Sequence, residues 1–502
     1  MKQTTLILMI LVILIINLNC GTALSQKKQT QRNQDKPQKN NQSLEIDNLI
    51  NDARSLPAEF SVDLLLQIAN SSKIIDKHQK QAILEDAFYR ASSAQNKLKL
   101  RSLPGTIIDT RSGYLARAYE FNLDELALKS RVIKSLLSID PQKAKELFDQ
   151  LPQIDLPPLT CETLLVYDVD DFYFLVGEIA HQAYSPEETR REEHIFFLQS
   201  KISNISSPVQ IEPMAKIILT FSNDPNHFAV LMQSFIKALT KLPDDNRSLG
   251  AVSFRVINSI GQLVARCDDL SISNNDLLET LRNYLTNQFN KSHCTDCLNK
   301  NDITSYINDF NKILSSVKLS DQRKVAPIAE EEIKSAKTEN TAKAYPFWQS
   351  VEARNLLIKI KHLRFGSGSK MLSTEERTSL AWQKELDDFL RSLDTWQAQR
   401  EKSDGDYFHQ KCDLYRGLLN LTSDGIMRDK VISDYIVFLR ESSMQQDKRI
   451  EWFLHAKPLI DLIGTSQGKE AAQLRETLSN NAGSVIRLYA EMKKLEGKQV
   501  NP

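Results

Sequence analysis

The residues most suited to chemistry in this sequence are cysteines and histidines that stand close together. Cys294 and Cys297 form a C-x-x-C pair directly after His293. Such thiols can ligate a metal ion or close a disulfide. Leu298 follows the pair where covalent haem attachment requires histidine, so that chemistry is excluded. The pair also follows a predicted helix rather than a strand, which disfavours thioredoxin-like redox chemistry.

His409 and Cys412 stand one helical turn apart in a later segment. Together with Cys294 and Cys297 they are the candidate ligands of a metal protein or enzyme whose site is assembled from distant residues. The alternative for Cys412 is a buried small hydrophobe, because it shares an apolar stripe with Phe408.

Four states stay open for Cys294 and Cys297: a local disulfide, a cross-link to Cys412, free thiols, or metal ligation. Because disulfides persist outside the reducing cytosol, we predict that at least one of Cys294 and Cys297 is oxidised. We expect neither cysteine to be catalytic, and we predict no catalytic residue and no cofactor.

Histidines also follow acidic residues at a spacing of three, as in Glu178/His181 and Asp406/His409. One bundle helix can offer two ligands to a di-iron centre at this spacing. About one such pair is expected by chance in a chain of this composition, and no glutamate stands out on a partner helix. Surface histidines, or core histidines with satisfied hydrogen bonds, are therefore the favoured interpretation.

Three carboxylates cluster at Asp168, Asp170 and Asp171 and could bind a hard cation. Helix capping explains them better. Asp168 is predicted to cap a helix that begins at Val169, and the other two fall in its first turn, where they favour the helix dipole.

The signature motifs of common enzyme families are missing from the sequence. It contains no G-x-S-x-G elbow, no H-E-x-x-H, no phosphate-binding G-x-x-x-x-G-K and no dinucleotide fingerprint. Residues 366–370 read Gly-Ser-Gly-Ser-Lys, but they follow a predicted helix and indicate a turn between helices.

The elements that carry these residues are amphipathic helices. Apolar residues recur at helical spacing, and Asp224-Pro225 supplies an N-cap and first-turn proline before one such stripe, Phe228, Leu231, Met232, Phe235, Leu239 and Leu242. Ser373 and Glu376 are predicted to form a capping box for the helix that contains Trp382 and Trp396, whose side chains are expected in the core.

Glycine and proline are scarce, at 15 and 16 of 502 residues, which disfavours a many-stranded fold. Helix starts at Asp140, Ser185, Ser207 and Asp224, each followed by proline, are unevenly spaced, so no strict tandem repeat is present. We predict an all-α fold, an irregular array of α-solenoid-like helix pairs, with an irregular multi-helix bundle as the alternative.

The N-terminal sequence resembles an export signal. Lys2 precedes an apolar run over residues 6–16, and the small-residue site at 23–25 follows. We therefore predict a signal peptide over residues 1–25, with lipidation of Cys20 as the alternative. The apolar run is too short to span a membrane, so no span is expected after cleavage.

The rest of the chain divides by composition. Residues 26–43 are rich in Gln, Lys and Asn, lack any hydrophobic residue and are predicted to be a disordered spacer. We expect an N-terminal helical array over 44–319, a polar linker over 320–345 and a C-terminal helical domain over 346–502.

Charge limits the expected partners. Basic and acidic residues balance at 64 each, so the chain has no net positive charge that would attract nucleic acid. The sequence therefore favours an exported binding or scaffold protein that holds a protein or peptide partner on a helical surface, as other helical arrays do.

Several short segments resemble an exported all-helical bacterial family of acidobacterial type, namely residues 158–161, 167–169, 347–350, 362–366 and 409–412. The resemblance spans most of the chain that follows the signal. It implies the helical fold and export, and it implies no activity, cofactor or catalytic residue.

Overall fold

The computed structural model describes residues 44–102, 110–160, 163–291, 293–294, 300–317, 325–333, 338–339, 347–397, 403–422, 425–465 and 483–497. Helices make up 73% of this part of the chain, which confirms the predicted all-α class and an irregular helical array. The chain divides into two units. Helix α1, residues 44–54, belongs to the unit of residues 1–55, and all other elements belong to the unit of residues 56–502.

The described residues of the first stretch of the larger unit form thirteen helices: α2 (Ala58–Asn70), α3 (Lys77–Ala91), α4 (Arg111–Tyr119), α5 (Glu125–Leu137), α6 (Pro141–Phe148), α7 (Asp170–Gln182), α8 (Pro186–Arg190), α9 (Glu193–Ser203), α10 (Ile211–Thr220), α11 (Pro225–Leu239), α12 (Asn246–Leu270), α13 (Asn275–Phe289) and α14 (Lys300–Ser316). Helices two apart in this order pack together repeatedly: α3 on α5, α5 on α7, α7 on α9, α9 on α11, and α11 on α13. This stacking is the helical array that the sequence predicts.

The second stretch contains α15 (Val351–Phe365), α16 (Thr374–Arg377), α17 (Leu380–Thr395), α18 (Asp404–Leu421), α19 (Ile426–Glu441), α20 (Met444–Asp447), α21 (Arg449–Thr465) and α22 (Ser484–Gly497). Helix α15 packs on α17 and α18, and α21 packs on α19, α20 and α22. Helix α21 also packs on α4, and α22 packs on α2, so the two stretches are in direct contact.

The strands of the described residues form two sheets of two strands each. Strand β1 (Leu100–Ser102) pairs antiparallel with β2 (Leu165–Tyr167), and β3 (His293–Cys294) pairs parallel with β4 (Thr338–Glu339). The part of the chain that the structure describes also contains two 3₁₀ turns, Pro208–Gln210 and Glu330–Glu332.

The predicted helix starts are confirmed where cap and proline coincide. The Asp224 carboxylate accepts hydrogen bonds from the first-turn N–H groups of α11, and Ser185 forms a capping box with Glu188 at the start of α8. Asp140 caps α6 in the same way. These starts follow from contacts within four residues, which the sequence contains in full.

Two predicted starts were wrong by a few residues. The capping box of Ser373 and Glu376 opens the short helix α16, and the helix of Trp382 has its own N-cap at Ser379. Helix α7 begins at Asp170 rather than Val169, so Asp168 precedes the cap position; its carboxylate accepts a hydrogen bond from the Asp170 N–H at 3.3 Å.

The apolar stripes form the core. Five residues of the predicted stripe are buried in α11, whereas the sixth, Leu242, follows the end of α11 at Leu239 and is half-buried. Trp382 and Trp396 are buried as well. The predicted turn at 366–370 follows α15, where Gly366 adopts φ +58°, a left-handed value that glycine tolerates. None of the described helices is long and apolar enough to cross a lipid bilayer.

The predicted signal peptide over 1–25 and spacer over 26–43 lie outside the described residues, as does much of the predicted linker over 320–345. These boundaries stay predictions.

Candidate functional site

A buried chain of polar side chains joins α18 to α21. His409 of α18 lies between two residues of α21: its Nδ1 is 2.7 Å from His455 Nε2, and its Nε2 is 3.1 Å from Glu451 Oε2. Both histidines are at most 1% exposed. Glu451 and His455 stand four residues apart on α21, which places both side chains on one face of that helix.

Hydrogen-bonding rules place one proton of this chain. A carboxylate oxygen of Glu451 accepts from His409 Nε2–H, and the second bond joins His409 Nδ1 to His455 Nε2. His455 Nδ1 is left as a buried atom without a partner among the described residues. Burial, and then the neighbouring His409, hold the pKa of His455 well below its ordinary value. His455 is therefore neutral.

Aromatic rings cover this chain on the side of α4. The ring of Tyr114 lies 4.4 Å from that of His409, centroid to centroid, and the ring of Phe347 lies 5.4 Å from it. The Tyr114 hydroxyl donates a hydrogen bond to the Asp413 carboxylate, and the guanidinium of Arg117 lies 4.1 Å from the Tyr114 ring centre. Burial, and then Asp413, raise the pKa of Tyr114, so the phenol stays protonated.

A second polar link connects α4 to α18. Arg111 donates two hydrogen bonds to the fully buried carboxylate of Asp406, from Nε at 2.7 Å and from Nη2 at 2.6 Å. This bidentate geometry orients the first turn of α4 on α18. The polar contacts of Arg111 and Tyr114 thus hold α4 in register with the helix that carries His409.

A cavity of about 360 Å³ opens beside this cluster, between α15 and α18. Apolar groups make up most of its wall, and its lining residues are Tyr114, Phe347, Gln349, Ala353, Leu357, Ile360, Gln410, Asp413 and Leu414. His409 and His455 do not line the cavity. They lie behind Tyr114 and Phe347, whose rings contact His409.

The polar groups of the cavity are already engaged by the protein. Asp413 accepts from the Tyr114 hydroxyl and pairs with Arg416, so its charge is compensated. The amide nitrogen of Gln410 donates to the Trp348 carbonyl, while Gln410 Oε1 has no partner among the described residues. The cavity therefore suits the binding of an apolar group better than a reaction that needs a free base or nucleophile.

The structure tests the predicted role of Cys412 as a small hydrophobe. Cys412 is a free, fully buried thiol, and burial raises its pKa well above the ordinary value. A thiol in this state is inert, and the interpretation as a core residue is confirmed.

The other candidate ligands are only partly described. Cys294 lies in β3, which packs on α12, and Cys297 lies outside the described residues. Disulfide formation and metal ligation by Cys294 and Cys297 stay predictions. No three His, Cys, Asp or Glu side chains in the described part of the chain are grouped to hold a metal ion. In the chain of His409, both ring nitrogens are already hydrogen-bonded.

The remaining histidine and carboxylate clusters have structural explanations. His181 stacks on Phe221 at 4.2 Å and hydrogen-bonds the Thr220 hydroxyl, as expected of a satisfied histidine. In the acidic cluster, Lys99 pairs with Asp168 and Asp171, and Arg255 pairs with Asp170. Each carboxylate of that cluster thus has a cationic partner from the protein itself.

Sequence reasoning missed Tyr114, Glu451 and His455. The spacing of Glu451 and His455, four residues apart on one helix, was a usable signal. Nothing in the sequence connects either residue to His409, because contacts across 42 and 46 residues depend on helix packing.

Comparison with models of protein families gave no match, and neither did comparison with curated proteins. The features of the site that bear on function are the apolar cavity, its polar groups that are bound to other protein groups, and the surface around its opening.

Proposed function

We propose that this protein is an exported binding or scaffold protein that holds a segment of a protein or peptide partner along α15. The observation that carries the proposal is an uncovered apolar helix face beside a cavity. Val351 is 59% exposed, Leu357 38% and Ile358 55%. Large apolar side chains grouped in contact with water are typical of interaction surfaces.

The cavity and the exposed face are continuous at Leu357, which belongs to both. Helix α15 buries only Ala353, Leu356 and Leu363, so most of its surface is open to a partner. A partner side chain that enters the cavity would meet the rings of Tyr114 and Phe347, while the adjacent residues of the partner cover α15. Export is supported by the signal-like sequence of residues 1–25.

Selection of peptides from a random displayed library tests the proposal. We expect the purified protein to enrich peptides with large apolar or aromatic residues and to bind them measurably in fluorescence anisotropy. The double variant Leu357→Asp/Ile358→Asp should lower their affinity by about tenfold or more, since it places charge in the apolar contact.

The matched control is Ile75→Asp/Ile426→Asp, which makes the same change at two side chains that are each 86% exposed and do not line the cavity. This control should bind the peptides as the unaltered protein does. Failure to enrich any peptide, or equal loss of affinity in both double variants, would refute the proposal.

A further inference from the structure

The exposed face of α15 has a seven-residue pattern of apolar and basic side chains. Seven residues are close to two helical turns, so positions with this spacing lie along one side of a helix. Three such rows run side by side within a sector of about 140° at 3.6 residues per turn. The rows are Val351, Ile358 and Phe365; Leu357 and Arg364; and Arg354 and Lys361.

This face is positively charged. Arg354, Lys361 and Arg364 are exposed, and none of them has a carboxylate partner among the described residues. Glu352, the sole acidic residue of α15, falls outside the sector by the same helical geometry. The cavity adds no net negative charge, because Asp413 is paired with Arg416.

We infer that the partner segment is an acidic amphipathic helix. The inference rests on the proposed function and names the chemistry of the partner. Apolar residues along one side of such a helix would cover Val351, Ile358 and Phe365, as in the seam of a coiled coil. Carboxylates beside that seam would face Arg354 and Lys361, which have no other anionic contact in the described part of the chain.

The dimensions of α15 agree with a helical partner. At 15 residues and 1.5 Å per residue, α15 presents a straight face about 22 Å long. Leu357 lies at the cavity opening, so one large apolar side chain of the partner can enter the cavity while the helix lies along the seam.

An anionic membrane surface is the competing occupant, because it also combines negative charge with an apolar layer. The concave cavity beside Leu357 favours the helix. A side chain can fill a cavity of about 360 Å³, whereas a bilayer surface would pass over its opening.

The test uses two synthetic helical peptides about three heptads long with leucine at the a and d positions. One has glutamate at the e and g positions and its twin has lysine there. Fluorescence anisotropy should show that the acidic peptide binds about tenfold more tightly than the twin, and that this preference shrinks as salt is added.

The double variant Arg354→Glu/Lys361→Glu should abolish or reverse the preference. Its control, Lys77→Glu/Lys237→Glu, makes the same charge change at exposed lysines of α3 and α11 and should keep it. Circular dichroism of each variant checks that the helices are retained.

The acidic-helix inference would be overturned if the protein bound both peptides with equal affinity. If the double variant Leu357→Asp/Ile358→Asp then bound neither peptide, the proposed function would still stand. Binding to phosphatidylglycerol vesicles that displaces the acidic peptide would assign the face to a membrane and overturn the inference. If neither these peptides nor a selected library binds, the proposed function fails as well.

Discussion

At the scale of single residues, the buried chain of Glu451, His409 and His455 is held together by mutual hydrogen bonds. Replacing His409 with alanine removes the partner of both neighbours. Among the described residues, Glu451 would keep only the ion pair with Lys448, at 3.8 Å, and the His455 ring would keep no hydrogen bond. Burying polar groups without partners is costly, so this chain should contribute measurably to stability.

We expect His409→Ala to lower the free energy of unfolding by about 3 kcal/mol, as measured by urea denaturation. His78→Ala, at an exposed position of α3, should change it by less than about 0.5 kcal/mol. Equal stability of the two variants would contradict the role assigned to the buried chain.

The same chain makes stability depend on pH. His455 has its pKa well below 6.5 in the folded protein because of burial. Its contribution to stability is therefore complete above its unfolded pKa and is lost as pH falls below about 6.5, where the unfolded chain binds the proton.

Asp124, at the start of α5, acts in the opposite direction, since burial raises its pKa from 3.8 to about 6. Its carboxyl contributes more stability as pH falls through that value.

We predict that unfolding free energies measured between about pH 7 and 5 will show a shallower loss in His455→Asn and a steeper loss in Asp124→Asn than in the unaltered protein. A loss of packing lowers the unfolding free energy equally at every pH. A change in the slope of unfolding free energy against pH therefore reports the titration of the replaced group. Parallel profiles for all three proteins would show that these two groups do not control the pH response.

At the scale of elements, α15 and α18 lie in close contact at Gly417. A Cβ atom built there would lie 2.7 Å from Ile360 Cδ1, the end of a flexible side chain. Alanine gains about 1 kcal/mol of helix propensity over glycine, which offsets a small shift of Ile360. A larger side chain has to push the two helices apart.

We therefore expect Gly417→Ala to be within about 1 kcal/mol of the unaltered protein and Gly417→Val to be destabilised by about 1–3 kcal/mol. Adding Ile360→Ala should restore part of the loss in Gly417→Val, because the two side chains compete for one space. Thermal unfolding of the unaltered protein, Gly417→Val, Ile360→Ala and the double variant Gly417→Val/Ile360→Ala measures the coupling. If the effects of Gly417→Val and Ile360→Ala on stability simply add, the helices accommodate the larger side chain without a clash at Ile360.

At the scale of the whole molecule, contacts between distant parts of the larger unit join its first helix to its last two. Arg449 of α21 donates to Glu59 of α2 at 2.9 Å, and Tyr489 of α22 donates to Asp63 of α2 at 2.6 Å. The Glu59 side chain is fully buried, and its carboxylate accepts hydrogen bonds from Arg449 and from the Gln95 N–H. The links to α21 and α22 couple residues that are 390 and 426 positions apart in sequence.

We expect Arg449→Ala to destabilise the protein by about 3 kcal/mol, because it leaves a buried carboxylate without its cation. Arg190→Ala, which breaks an exposed pair with Glu187, should cost less than about 1 kcal/mol. In the unaltered protein, unfolding followed by tryptophan fluorescence and by hydrogen exchange in α2 should share one midpoint. Separate midpoints would instead support the predicted division of the chain around residues 320–345.

The helical class, many helix starts and most of the core can be predicted from the amino-acid sequence. A cap such as Asp224 or Ser185 acts on N–H groups within four residues, and an apolar stripe repeats within one helix. These interactions are local, so they can be predicted without knowing how helices pack. The errors were also local. Ser379 supplies a second cap six residues after Ser373, and that second cap separates α16 from α17.

The residues that form the candidate site depend on how the helices pack. His409 was noted in the sequence for its proximity to Cys412, yet its actual partners are Glu451 and His455. The uncovered face of α15 likewise could not be predicted, because Val351, Leu357 and Ile358 are ordinary core-type residues until the neighbouring helices leave them exposed. Hydrophobic burial is not directional, so sequence pattern shows that a face is apolar but not which face the remaining helices will cover.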